Sequence, residues 1–203
     1  MQEIIKSLKK RKLIFIAMVV FWSVFLIILF THLLTGTAPF KIKYSISQYV
    51  GFSFLSSIAF LLTNIYVSFL IWNALKDKIK DKTARLLLKI IIITLIGLSV
   101  FPISFYDNII TDPVIFGRAP ISLLHVITSR TMFLSMAALS LYTFFTERKS
   151  TNISLRAKIA ISFTVYAGLC IMLFMFFPEV FWGLNLIIES LYIQFFFIFV
   201  ASL

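Results

Sequence analysis

Lys9–Leu34 reads KKRKLIFIAMVVFWSVFLIILFTHLL: four consecutive cations, then 22 residues whose only ionisable side chain is His32. At a rise of ~1.5 Å per residue, a helix of that length covers the ~30 Å of a bilayer's hydrocarbon core. A basic start and an apolar run are also the layout of a signal peptide. The apolar part, however, exceeds the ~7–15 residues of such a segment, and no small-residue cleavage site follows. The run is therefore expected to persist as an anchoring helix.

Five further runs have the same character, at 48–73, 86–104, 121–145, 157–177 and 182–203. The expected fold is all-α: a polytopic helical bundle with six transmembrane helices, forming a single membrane domain over 1–203. Composition agrees. The 203 residues are 61% hydrophobic and 13% charged, with a mean hydropathy of +1.03. A soluble domain carries about a quarter charged residues, so this chain lacks the polar surface to cover a water-facing core. Only 6 residues are Gly against 24 Phe, which favours a plain bundle over the broken helices of transporters.

The net charge of +11 would suggest nucleic acid on a soluble protein. Here the cations lie in short clusters between apolar runs, which is a topology signal. Fifteen fall at the N-terminus (from Lys6 to Lys12), between runs two and three (from Lys76 to Lys89), and between runs four and five (Arg148 to Lys158). The alternate connections hold three, Lys41, Lys43 and Arg118, while Arg130 lies within a run. The positive-inside rule then places both termini in the cytoplasm and 35–47, 105–120 and 178–181 outside. The expected location is the cytoplasmic membrane, multi-pass, and the Lys/Ile/Phe-rich, Gly-poor composition suggests a bacterial chain. Nucleic acid is excluded as a partner. The segment Lys76–Lys82 alternates Lys with Asp and Ile, which suits topology and solubility, with contact to anionic lipid as the alternative.

Ionisable groups inside hydrocarbon are costly, about 2.5–3.5 kcal/mol each on insertion scales, so they mark where function should be sought. These are His32, His125, Arg130 and Glu189, with Asp107 and Asp112 in the adjoining outer loop. Counting ~1.5 Å per residue from the outer ends of their runs puts His125 about 6 Å, Glu189 about 10 Å and Arg130 about 14 Å deep. All belong to the outer half of the bilayer, and His32 closes the first run at the outer face. The expectation is an outward-opening polar pocket lined by the first, fourth and sixth helices. Within it Arg130 and Glu189 either neutralise one another as a structural pair, or Arg130 holds an anionic headgroup or carboxylate.

Helical spacing groups other polar residues into stripes: Ser122, His125 and Ser129; Asn185, Glu189 and Tyr192; Ser53, Ser57, Asn64 and Ser68. Ala160, Thr164 and Gly168 follow the small-xxx-small pattern. Stripes of this kind usually serve helix packing. There is no GxSxG, HExxH or pair of adjacent acids, so no catalytic residue is assigned. The lone Cys170 rules out an intrachain disulfide, and no metal site or cofactor is expected. His32 and His125 could ligate haem between two helices, but two histidines at similar depth are a thin basis for it. Two segments echo one another, Phe101-Pro102-Ile103-Ser104-Phe105-Tyr106 and Phe177-Pro178-Glu179-Val180-Phe181-Trp182, each at an outer interface. Proline ends a helix there, and Tyr or Trp anchors at headgroup depth.

Six helices in about 200 residues, Phe101-Pro102 closing the third helix, acidic residues in the next outer loop and His125 early in the fourth helix resemble the bacterial family filed as domain of unknown function 998. That family is similar in layout to the eukaryotic Frag1/DRAM/Sfk1 membrane proteins. In it an acidic residue follows the Phe-Pro closely, whereas here Asp107 comes five residues after Pro102 and Asp112 ten after. The resemblance implies a fold and a compartment more than an activity.

The leading expectation is a non-enzymatic membrane protein that binds a lipid, a small amphiphile or a partner membrane protein through the outward pocket. A membrane enzyme using His125 with Glu189 or an outer Asp on a lipid is the alternative from another class. A substrate-binding subunit of a transporter is the third, although the first helix lacks a small-residue docking motif.

Overall fold

No glycine or proline interrupts Leu13–Leu34, and in the computed structural model α1 runs Gln2–Leu34. Gly36 ends it. Its φ of 66° is the left-handed conformation that glycine adopts without strain, and it lets Thr37 N–H return to the His32 carbonyl at 3.0 Å. The structure describes the backbone of residues 2–101, 120–148 and 154–203, and their side chains except 2–10 and 120–122.

The chain continues through α2 (Ile46–Val50), α3 (Phe54–Leu75), α4 (Lys82–Val100), α5 (Pro120–Glu147), α6 (Leu155–Phe176), α7 (Pro178–Gly183) and α8 (Asn185–Ser202). No strand occurs among the described residues, and six of the helices are long and apolar enough to cross a membrane. The protein is an all-α, multi-pass membrane bundle.

Caps, more than hydropathy, set the helix limits. Ser53 accepts from Ser56 N–H at 3.1 Å, so the second spanning helix starts at Phe54 and not near residue 48. Residues 46–50 form a separate short helix instead. Asp81 caps Ala84 N–H at 2.9 Å and starts α4 four residues before its apolar run. The Asp81 carboxyl is held below the usual carboxylate range by that N–H and then by the Tyr142 hydroxyl. Ser154 caps α6 in the same way at 3.1 Å. The last run is broken at Leu184, and its first residues belong to a separate short helix over 178–183 that takes in the connection expected at 178–181. Phe101 and Phe177 terminate α4 and α6 with nearly the same backbone, φ −118° and ψ 61° against φ −136° and ψ 59°. Each precedes a proline, whose ring excludes the helical conformation one residue earlier. The echo between the two segments therefore has at least this shared local cause.

The spanning helices pack as a ring in chain order, α1–α3–α4–α5–α6–α8, and α8 closes it against α1. Phe21, Phe60, Leu88, Met132, Phe163 and Phe196 are among the side chains buried between them. Gly97 allows the close approach of α4 and α5: a Cβ there would lie 3.1 Å from Thr128 Cγ2. Polar stitches join neighbouring helices, and in one case α5 to α8 across the ring. Trp22 Nε1 donates to Gln194 Oε1 at 2.8 Å, Tyr192 hydroxyl to the Phe133 carbonyl at 2.8 Å, and Tyr166 hydroxyl to the Ile188 carbonyl at 3.1 Å. Ser140 pairs with Thr164 at 2.8 Å, and Asn64 donates to Ser99. Each such bond adds about 0.6–2 kcal/mol in a bilayer. The outside is apolar: Phe15, Ile27, Phe30, Leu62, Phe69, Ile93 and Leu134 are all more than half exposed. A surface of this kind has lipid as its solvent.

The two ends of the ring differ. At one end Arg11, Leu75, Lys78 and Val200 line a common recess, Arg156 Nε donates to the Ser202 carbonyl at 3.0 Å, and Arg156 pairs with Glu147 at 2.8 Å. Arg85 folds the basic connection by donating to the Ile79 carbonyl at 2.9 Å. This basic end gathers the start of the first span, the Lys-rich connection and the C-terminus. At the far end lie residues 35–53 and α7.

The charge asymmetry predicts accessibility. In a Cys170→Ala background, Lys43→Cys in intact cells should react with a membrane-impermeant thiol reagent and Lys80→Cys should not. Both residues are exposed on the protein, so a reversed pattern would invert the orientation.

Candidate functional site

The far end is built around α2, a five-residue helix that no spanning requirement explains. Ser45 and Gln48 form a reciprocal capping box: Gln48 N–H donates to Ser45 Oγ at 3.1 Å, and Ser45 N–H donates to Gln48 Oε1 at 2.8 Å. The first-turn N–H of Ile46 needs an acceptor as well, and it comes from across the bundle. Glu189 Oε2 on α8 accepts it at 2.9 Å. The favour is returned, since the Leu186 N–H in the first turn of α8 donates to the Ile42 carbonyl at 2.9 Å. Two helix starts thus satisfy one another's orphan donors. Tyr49, fully buried, tightens the same segment: its hydroxyl accepts from Lys41 N–H at 2.6 Å and donates to the Lys41 carbonyl at 3.1 Å.

His125 reaches the same region from α5. Its Nδ1 pairs with the Phe101 carbonyl at the end of α4. A carbonyl only accepts, so Nδ1 carries a proton. His125 and Glu189 line one cavity of about 30 Å³ together with Ser47, Ser129 and apolar side chains that include Phe21, Phe60 and Met132. The lining comes from α1, α2, α3, α4, α5 and α8, a wider set than three helices, and α2 roofs it. That volume suits about two waters, far below the roughly 300–1,000 Å³ of a preformed ligand pocket. The site is a small chamber whose mainly apolar lining carries a few polar groups, and a larger occupant requires α2 to move.

The expected pocket residues separate. Glu189 and His125 share the chamber. His32 does not line it: buried between α1 and α3, its Nε2 pairs with Ser56 Oγ at 3.0 Å and its ring sits edge-on to Phe52. Arg130 does not pair with Glu189. The only described Arg130 contact beyond its helix is a face-on approach to Phe174 of α6, at 5.6 Å from guanidinium carbon to ring centroid. The physical reason is facing direction. Depths were compatible, but Glu189 turns into the ring and Arg130 is exposed on its outside. Asp107 and Asp112 lie outside the described residues, as does the Ser122 side chain. The stripes on α3, α6 and α8 are mainly packing contacts: Ser57 bonds the Val50 carbonyl, Asn64 reaches Ser99, Thr164 reaches Ser140 and Tyr192 reaches Phe133. Among the described residues no three His, Cys, Asp or Glu side chains come together as a metal site would require.

Chemically the chamber offers one carboxylate, with Oε1 accepting no hydrogen bond from a described residue, one imidazole and two hydroxyls. Such a set binds donors: hydroxyls, amines or water. Removing the carboxylate should loosen the roof. Glu189→Ala deletes a charge-assisted bond worth about 1.5–3 kcal/mol, so the Ile46 amide should exchange with deuterium at least about tenfold faster. Glu189→Gln keeps a neutral acceptor and should exchange at a rate between those of wild type and Glu189→Ala. Equal exchange in all three proteins would mean that Glu189 does not hold the roof.

No protein-family model, no curated protein and no solved structure matches this chain.

Proposed function

We propose that this multi-pass protein lies in the cytoplasmic membrane with both ends in the cytoplasm, and binds the polar head of a lipid or small amphiphile at its outward end. The observation that carries this reading is the double use of Glu189. The carboxylate that lines the chamber also accepts the hydrogen bond that ties α2 to α8. A head bearing hydroxyl or amine donors competes with Ile46 N–H for that carboxylate. Entry of the head and release of the roof are then one event, which accounts for a chamber too small for a ligand at rest. Ser47 and Ser129 add hydroxyl contacts, and the apolar lining suits the first carbons of a chain. The resemblance to the six-helix family with Phe-Pro, outer acids and a His early in helix four supports the compartment and the fold class.

A second reading draws on the same observation. A histidine and a carboxylate on one chamber form an acid–base pair, so a membrane enzyme acting on a lipid head is the alternative. Under it His125→Gln abolishes turnover while the protein stays folded.

The binding reading is tested with a hydroxyl-bearing, phosphate-free amphiphile. Detergent-purified protein titrated with monooleoylglycerol should show a single adduct by native mass spectrometry. Glu189→Gln should weaken it about tenfold, the effect of losing a charge-assisted bond. An adduct of undiminished strength in Glu189→Gln, or none in the wild type, would refute this site.

A further inference from the structure

Arg130 lies ten residues past Pro120, where α5 begins, so its Cα is about 15 Å from that end of the helix. It is exposed on the outside of the ring and pairs with no carboxylate among the described residues. Its one described partner outside α5, the Phe174 ring, offers a π face and no lone pair to the five guanidinium N–H donors. An arginine in this position is costly unless it reaches an anion. Helix geometry says where it reaches. Side chains lean toward the N-terminus of their helix, and the N-terminus of α5 is at the far end, so Arg130 leans toward the headgroups.

The neighbouring side chains locate the anion. Phe174 packs edge-on to Phe181 at 5.4 Å and to Trp182 at 5.9 Å, the latter half-exposed on α7. Trp in such a position marks headgroup depth. Deeper in the bilayer, Leu134 on α5 and Val165 and Met172 on α6 are each more than half exposed, an apolar surface suited to acyl chains. We propose that Arg130, braced on Phe174, is a site for the phosphate of one phospholipid in the outward leaflet, whose chains lie along α5 and α6. Phosphate is the anion every bilayer holds at this level, and a guanidinium fork matches it bidentately. The site is on the outside of the ring, separate from the chamber of Glu189.

Delipidated protein in detergent, titrated with dioleoylphosphatidylcholine and with 1,2-dioleoyl-3-acetylglycerol, tests this by native mass spectrometry. The first probe has a phosphate and no headgroup donor, and the second has neither a phosphate nor a hydroxyl for the Glu189 chamber. Wild type should hold one phosphatidylcholine at least about tenfold more tightly than the acetylated diacylglycerol, a difference that Arg130→Gln abolishes, Arg130→Lys partly retains and Glu189→Gln leaves intact. Equal affinity for the two probes in wild type would overturn the proposal, and that comparison needs no variant to fold. Unchanged phosphatidylcholine binding in Arg130→Gln would overturn it too. So would a wild-type dimer that Arg130→Gln dissociates without changing lipid binding, which would assign the arginine to a second copy of the chain.

Discussion

In hydrocarbon no water is present to satisfy a backbone N–H or carbonyl, and each unmet group costs several kcal/mol. Six long helices meet that demand along their length, but every helix start still presents N–H groups without internal partners. At the basic end, where Asp81 and Ser154 cap α4 and α6, the connections carry lysines and arginines and water is close. The far end has two starts folded against each other, α2 and α8, and they exchange acceptors: the Ile42 carbonyl for Leu186 and the Glu189 carboxylate for Ile46. The chamber follows from that exchange, because a carboxylate brought inside the ring to cap one helix also faces the space beneath it.

This view divides the costly polar groups by how they are used. His32, Ser140, Thr164, Tyr166, Tyr192 and Gln194 are committed to bonds between helices, and Asn64 gives its amide nitrogen to one. Glu189 and His125 each give an atom to structure while lining the chamber. Among the described residues outside α5, Arg130 meets only a ring on the lipid-facing side. The inward carboxylate and the outward arginine stand in different surroundings, which is why the two proposed sites carry separate ligand chemistries.

The sequence made the membrane class and the number of spans plain, because run length and charge placement are one-dimensional properties. The basic residues that set the orientation there do gather at one end of the ring, as Arg11, Lys78 and Arg156 illustrate. What it could not convey was facing. In a soluble helix the polar stripe tells outside from inside, but here the lipid side and the core side are both apolar, as exposed Phe69 and buried Phe60 on one helix show. Arg130 and Glu189 therefore looked like partners by depth, although one turns outward and the other inward. The short helix α2 was hidden for a related reason: residues 48–53 are apolar enough to read as helix, and only the Ser45 and Ser53 caps mark the break. The Ser45-to-Gln48 capping box was present as a signal, whereas the Glu189 contact, 143 positions away from Ile46, had none.

The central claim is that the Glu189 carboxylate caps α2 inside the bundle and leaves Arg130 to the lipid. Solid-state NMR on protein in phospholipid bilayers, with ¹³C-labelled glutamate and ¹⁵N-labelled isoleucine and arginine, measures this directly. The account predicts a short-range cross-peak between the Glu189 carboxyl carbon and the Ile46 amide nitrogen, and none from that carboxyl to the Arg130 guanidinium. A Glu189–Arg130 cross-peak without one to Ile46 would contradict it.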